Sequence, residues 1–138
     1  MKIIVIDGQG GRIGSLLIEK LTEKIKTSAF QAEVIAIGTN SIATAAMLRA
    51  GADAGATGEN PVIVNCRDAD YILGPIGIIA ADSLLGEVTP AMATAVAASP
   101  AQKLLLPVNK CSLRVMGMGE CNVNALVGEA VESLWMDR

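Results

Sequence analysis

The spacing of apolar and polar positions changes several times along the chain and predicts alternating strands and helices. The run Ile3–Ile6 is continuous, mostly β-branched and ended by Asp7-Gly8, which is typical of a strand buried on both faces of a parallel sheet. From Arg12 the apolar residues recur at helical spacing, which predicts a helix of about four turns. Further strands are predicted at 32–37, 70–73 and 104–108, and further helices at 41–49, 90–99 and 123–135. This alternation predicts a single α/β domain, residues 1–138, with a doubly wound, mostly parallel sheet.

Two stretches fit this alternation less well. Val62-Ile63-Val64 has strand composition, but too few residues separate it from the next strand for a parallel crossover. Two interpretations stay open: Asn60 caps a short helix with Pro61 at its first position, or residues 62–65 form a hairpin or an edge strand. Residues 113–116 also have the composition of a strand.

A glycine-rich run, Gly8-Gln9-Gly10-Gly11-Arg12-Ile13-Gly14, lies between the first strand and the first helix. In this context a glycine pattern favours a nucleotide loop, and therefore a Rossmann-like three-layer sandwich. Gly8 permits a tight turn, Gly10 or Gly11 lets the backbone approach a pyrophosphate, and Gly14 lets the helix pack against the sheet. The N–H groups at the helix start favour an anion, and Arg12 adds a positive charge. The alternative is a tight structural turn that binds no phosphate.

The loops after the other strands are expected to complete the site, because ligands gather at the carboxyl ends of the strands in an open parallel sheet. Lys110 is the candidate cation for a phosphate or carboxylate, the alternative being a solvated loop lysine. Asp7 is expected to turn away from the ligand and accept hydrogen bonds from N–H groups of the loop. The candidate cofactor-binding residues are Gly8, Gly10, Gly11, Arg12, Ile13, Gly14, Gly38, Thr39, Asn40, Gly74 and Lys110.

Parts of the chain resemble known families. The glycine run resembles the nucleotide loop of dihydrodipicolinate reductases, whose pattern is G-x-x-G-R-M-G. The segment Leu106–Lys110 is similar to the strand and Asn-Lys turn in the NADP domains of homoserine dehydrogenase and deoxyxylulose phosphate reductoisomerase. Nearly the whole chain, including VIDGQGGRIG, GTNSIATAAMLRAGADAGATGEN, DADYILGPIGI and PVNKC, resembles a family of short bacterial proteins of unknown function. The local resemblances imply a nicotinamide cofactor, whereas the long one implies a fold and no activity.

The turn after the second strand bears on the choice of cofactor. NAD enzymes usually place Asp or Glu there for the ribose hydroxyls, but this chain has Gly38-Thr39-Asn40-Ser41. Because hydroxyl and amide donors suit a 2′-phosphate, we expect NADP(H) before NAD(H). The reductases named above append a substrate domain that this chain lacks, so a complete oxidoreductase would need a cleft between subunits. An Ala/Met-rich helix at 90–99 and the aromatic Trp135 also favour a homo-oligomer.

Composition and charge exclude several classes of function. With 11 Lys+Arg against 14 Asp+Glu and a net charge of −3, the chain has no basic cluster suited to nucleic acid. It contains no histidine, which excludes imidazole-based catalysis, and its three cysteines form no C-x-x-C pair, which argues against a metal site and a disulfide framework. This cysteine usage indicates a reducing compartment, so we expect a cytoplasmic protein. No apolar stretch reaches the roughly 20 residues of a membrane span, so we expect no segment to cross a membrane.

Together these observations predict a nucleotide-binding protein of unknown substrate. One interpretation is an oxidoreductase with a site at a subunit interface. The alternative is a non-catalytic nucleotide sensor or a structural oligomer.

Overall fold

A parallel sheet forms the centre of the computed structural model, which describes residues 1–108, 112–120 and 122–136. Within these ranges the strands are β1 (Lys2–Asp7), β2 (Glu33–Gly38), β3 (Ala54–Thr57), β4 (Tyr71–Pro75) and β5 (Gln102–Leu106). Their order in the sheet is β3-β2-β1-β4-β5, and every neighbouring pair is parallel. The order therefore reverses between β1 and β4, as in a doubly wound Rossmann-like sheet.

Helices cover both faces of the sheet and give the three layers expected from the sequence. The helices are α1 (Arg12–Lys26), α2 (Ser41–Arg49), α3 (Glu59–Cys66), α4 (Pro90–Ala98) and α5 (Val123–Met136). One apolar core packs α1, α2 and α5 against one face of the sheet, and a second core packs α3 and α4 against the other. In the described part of the chain, no helix is both long enough and apolar enough to cross a membrane.

The helical interpretation of the uncertain stretch is correct, since residues 59–66 form α3. Its capping differs from the prediction: Gly58 precedes the first helical residue, and Pro61 is the third residue of the helix rather than its first. The strand β3 just before it was not predicted. Residues 113–116, predicted as a strand, have no strand structure.

Asn40 caps the N-terminus of α2, although Ser41 is also a residue type suited to that position. The Asn40 Oδ1 accepts a hydrogen bond from the Ala43 N–H at 2.8 Å. An extended backbone at Asn40 lets its short side chain reach over the first turn.

An ion pair holds the C-terminal helix α5 on α1, and an aromatic contact holds it on the segment between α1 and β2. The rings of Phe30 and Trp135 have centroids 4.7 Å apart, and the Lys24 Nζ lies 2.8 Å from a carboxylate oxygen of Glu132. Because Trp135 packs partly buried inside the chain, it does not supply the exposed aromatic contact surface predicted from the sequence.

Candidate functional site

A crevice opens at the carboxyl edge of the sheet, where the strand order reverses between β1 and β4. Its volume is ≈ 260 Å³, a little below the roughly 300–1,000 Å³ of typical ligand pockets. The lining residues are Asp7, Gly8, Gln9, Gly10, Gly11, Arg12 and Ile13 from the β1–α1 loop, with Pro75, Gly77, Leu84, Val108 and Val123. The loop after β1 thus lines the crevice together with residues near the ends of β4 and β5.

Packing inside the protein requires glycine at two positions of this loop. Gly11 has a left-handed backbone with φ of 71°, and a Cβ there would lie 2.9 Å from the Ala43 Cα in α2. A Cβ on Gly14 would collide with the Met47 side chain. These glycines let α1 and α2 pack closely, so their presence does not by itself indicate a ligand.

Gly10 differs from its neighbours. A Cβ at Gly8 would lie 2.6 Å from the Thr39 Oγ1, whereas a Cβ at Gly10 would meet no heavy atom within 4 Å. The backbone of Gly10 is also outside the left-handed region. The fold would therefore accept a side chain at Gly10, and this glycine keeps the crevice open without being needed for packing.

Two of the predicted site glycines, Gly38 and Gly74, contribute through packing and do not themselves line the crevice. A Cβ on Gly38 would lie 2.6 Å from the Asn40 carbonyl oxygen, and a Cβ on Gly74 would collide with the Ile6 carbonyl oxygen. Lys110 lies outside the described residues. Of the predicted site residues, the structure brings Gly8, Gly10, Gly11, Arg12 and Ile13 together at the crevice.

Asp7 has the structural role predicted for it. Its Oδ1 accepts the Gly8 N–H at 2.8 Å and its Oδ2 accepts the Gly14 N–H at 2.7 Å, and the residue is buried. Desolvation raises the pKa of Asp7, and hydrogen bonds from Gly14, Gly8 and Ile13 N–H groups offset part of that effect. The carboxylate ties the start of β1's loop to the first turn of α1.

The loop nevertheless keeps donors for an anion. The Gly11 N–H donates to the Gly8 carbonyl oxygen at 2.9 Å, but the N–H groups of Gly10 and Arg12 have no acceptor in the described part of the chain. The Arg12 side chain is exposed beside them. Two backbone donors without a described acceptor, the charged residue Arg12 and the positive end of the α1 dipole therefore lie at the crevice.

Sequence reasoning missed Glu87, a residue between β4 and α4. Its Oε1 accepts three hydrogen bonds: from the Gln9 N–H at 2.9 Å, the Thr39 hydroxyl at 2.8 Å and the Asn40 Nδ2 at 2.6 Å. Asn40 also donates to the Gln9 carbonyl oxygen at 3.0 Å. Glu87 thus joins the glycine loop to the turn after β2, although 78 residues separate it from Gln9.

These three hydrogen-bond donors stabilise the ionised form of Glu87. Desolvation, the largest single influence, raises its pKa, but the hydrogen bonds from Gln9, Thr39 and Asn40 together outweigh it and hold the pKa of Glu87 below its ordinary value. The carboxylate is therefore ionised at neutral pH.

An unusual backbone brings Glu87 to this place. Asp82, Leu84 and Leu85 all have left-handed φ values of 65°, 55° and 57°, and Gly86 follows with 87°. The Asp82 N–H donates to the Val88 carbonyl oxygen at 2.7 Å, which closes the segment on itself. We call residues 80–88 the β4–α4 strap; it places Leu84 against the crevice and Glu87 against the glycine loop.

The ionisable groups around the crevice are suited to binding more than to catalysis. Asp7 is buried among backbone donors and Glu87 is held by three donors, so neither carboxylate is placed as a free general base. The Cys66 thiol is buried on α3, where desolvation raises its pKa to about 11, so it is not an activated nucleophile.

Comparison with known proteins shows the family of the chain. The model of a family described as a domain of unknown function (DUF3842) matches residues 2–137, and the chain therefore belongs to that family. No curated protein and no solved structure matches the chain significantly.

Proposed function

We propose that this protein binds a nucleotide through its pyrophosphate, with nicotinamide dinucleotides as the candidate cofactors, in the crevice between the glycine loop and the ends of β4 and β5. The observation that carries this proposal is Gly10. A Cβ at Gly10 would meet no other atom within 4 Å, and the backbone there does not require glycine. This open space adjoins the N–H groups of Gly10 and Arg12, which have no acceptor in the described part of the chain. A phosphate that approaches the loop would occupy this space and accept those hydrogen bonds.

The doubly wound topology supports the same proposal. Ligands of such sheets bind outside the carboxyl ends of the strands, at the point where the strand order reverses. The crevice lies at this point. Fold topology alone does not assign an activity, so the proposal depends on the chemistry of the loop.

The sequence-based preference for NADP(H) over NAD(H) depended on the lack of an acid in the turn after β2. Glu87 supplies a carboxylate at that turn and takes up the hydroxyl of Thr39 and the amide of Asn40. These donors are the groups that were expected to hold a 2′-phosphate. Whether the bound ribose carries a 2′-phosphate therefore depends on Glu87 as well as on Thr39 and Asn40.

We also propose a non-catalytic role for the isolated chain, with any hydride chemistry requiring a second copy. The described groups at or beside the crevice are backbone N–H groups, the Arg12 guanidinium, the buried Asp7 carboxyl group and the Glu87 carboxylate, one oxygen of which is held by three donors; this set suits a nucleotide-sensing or nucleotide-storing oligomer. A second copy has apolar surface available at β5, which is at the edge of the sheet beside the partly exposed residues Val115 and Met118.

A binding measurement on two glycine variants tests the proposal. The wild type is titrated calorimetrically, and followed by thermal shift, with NADH, NADPH, ATP, coenzyme A and FAD. A ligand present at 100 times its Kd should stabilise the protein by about 2.7 kcal/mol. Gly10→Val should keep the wild-type melting temperature without ligand and lose nucleotide binding, because its side chain fills the phosphate space.

Gly128→Val is the matched control. Gly128 lies in α5, and a Cβ there also meets no heavy atom within 4 Å. This variant should bind as the wild type does. If Gly10→Val binds as tightly as Gly128→Val, the glycine loop is a structural turn and the proposed function is wrong.

A further inference from the structure

One oxygen of the Glu87 carboxylate is fixed and the other is available. All three hydrogen bonds from Gln9, Thr39 and Asn40 go to Oε1. Within the described part of the chain, Oε2 accepts none. The side chain is therefore anchored in one orientation and still offers a charged acceptor to a ligand.

The position of this carboxylate matches the ribose end of a bound nucleotide. The Gln9 N–H that holds Glu87 immediately precedes Gly10, the residue we assign to the pyrophosphate. Thr39 and Asn40, its other donors, follow β2. In a doubly wound sheet, the ribose of a nucleotide whose pyrophosphate contacts this loop lies between the loop and the end of β2.

The chemistry of a carboxylate at this point discriminates between two kinds of ribose. Free 2′- and 3′-hydroxyls donate hydrogen bonds to a carboxylate, and such charge-assisted bonds are stronger than neutral ones. A 2′-phosphate carries negative charge and no comparable donors, so it would be repelled by Glu87. No lysine or arginine forms an ion pair with Glu87 in the described residues.

We propose that Glu87 is the specificity-determining residue of the nucleotide site: it accepts the hydroxyls of an unphosphorylated ribose and excludes a 2′-phosphate. The inference rests on the proposed nucleotide function. It makes the ligand class an NAD(H)-type nucleotide, and the acid that selects it comes from the β4–α4 strap instead of the end of β2.

The experiment measures the ratio of Kd for NADPH to Kd for NADH in four proteins. The wild type should bind NADH about tenfold or more tightly than NADPH. Glu87→Gln keeps the shape of the side chain but removes its charge, and should lower the Kd ratio by about tenfold. Glu87→Asp keeps a carboxylate on a shorter side chain and should retain part of the preference.

Asp82→Asn is the matched control for charge. Asp82 is exposed on the same strap, its side chain is not part of the site, and Asn tolerates its left-handed backbone. It should leave the ratio unchanged. Because each ratio compares two ligands on one folded protein, a change in stability or in overall affinity cancels.

Each other outcome overturns the inference in a recognisable way. If Glu87→Gln binds both dinucleotides with the wild-type ratio, Glu87 has no role in specificity, while the proposed nucleotide function stands. If Glu87→Gln binds both dinucleotides more tightly and by the same factor, the Glu87 carboxylate competes with the ligands for the donors of the site and does not select between them. If the wild type binds none of the nucleotides, the proposed function fails and this inference fails with it.

Discussion

At the scale of single residues, neighbouring glycines in one loop have different physical roles. Gly11 is fixed by a left-handed backbone and by contact with Ala43, whereas Gly10 has open space around it. Gly11→Ala should lower the free energy of unfolding by roughly 1–2 kcal/mol from the backbone conformation alone, with the contact to α2 adding to the loss. Urea denaturation followed by the fluorescence of the single Trp135 measures this.

Gly10→Ala is the control for that substitution. Its backbone suits an L-residue, so its unfolding free energy should be unchanged or raised by up to about 1 kcal/mol. Equal destabilisation by the two substitutions would show that the contrast between the two glycines is wrong.

The charge of Glu87 should make stability depend on pH with a defined sign. Its pKa in the folded protein is below the ordinary value of 4.5, so its contribution to stability is fully present above the unfolded-state pKa and is lost as the pH falls through the folded-state pKa. The wild type should therefore unfold at higher urea than Glu87→Gln at neutral pH, and this difference should shrink as the pH is lowered from about 5 to about 3.

Asp7 has the opposite sign, because its pKa is raised, and its stability contribution is lost as the pH rises. Asp7 is present in both proteins, and only the smallest cause of its raised pKa, the charge of Glu87, differs between them, so most of its contribution cancels in the difference. A difference between wild type and Glu87→Gln that stays constant over this pH range would mean that shape, not charge, holds the strap.

Local pattern was enough to find the glycine loop but not the acid beside it. The glycines stand together in the sequence at a strand–helix junction, so their context is visible. Glu87 reaches Gln9 across 78 residues, through a strap whose left-handed residues Leu84 and Leu85 are poor candidates for that conformation. Only the folded strap shows that the turn after β2 has a carboxylate.

At the scale of elements, the sequence predicted the strands and helices whose apolar residues follow a clear pattern, and it did not predict β3, which has no such pattern. β1 and α1 follow clear β-branched and helical patterns. β3 has the sequence Ala-Gly-Ala-Thr, in which Thr57 is the one β-branched residue and none is aromatic, so it has little of the composition typical of strands. Its strand structure comes from tertiary pairing with β2, in which Gly55 lies opposite Ala36.

The start of α4 provides a test of the contact between α3 and α4. The Thr89 Oγ1 accepts the Met92 N–H at 3.1 Å and donates to the Glu59 Oε1 at 2.6 Å. Thr89→Ala should lower the free energy of unfolding by about 1 kcal/mol, because it removes the N-cap of α4. Urea denaturation measures the loss, and Thr89→Ser, which keeps the hydroxyl, should recover most of it. Equal losses in both variants would assign the effect to the methyl group and not to the cap.

At the scale of the whole molecule, the proposed self-association has a different structural basis from the one the sequence suggested. Met92 and Val96 of α4 are buried in the core, and Trp135 packs on Phe30, so these groups are engaged within one chain. Apolar surface is exposed beside the edge strand β5, where Met118 is 45% exposed.

A second copy that covers this face would bury apolar surface and the open edge of β5 together. We therefore expect sedimentation velocity at micromolar concentration to show a dimer or larger species, and Met118→Glu to shift it towards the 14.2 kDa monomer by placing a charge in the contact. Ile42→Glu is the matched control, since Ile42 is 68% exposed on α2, which adjoins β2 and β3 at the opposite edge of the sheet from β5. If Met118→Glu and Ile42→Glu sediment alike, the β5 face is not the contact. A wild-type chain that stays monomeric would exclude a site shared between subunits and leave nucleotide binding by the single chain as the whole of the proposed function.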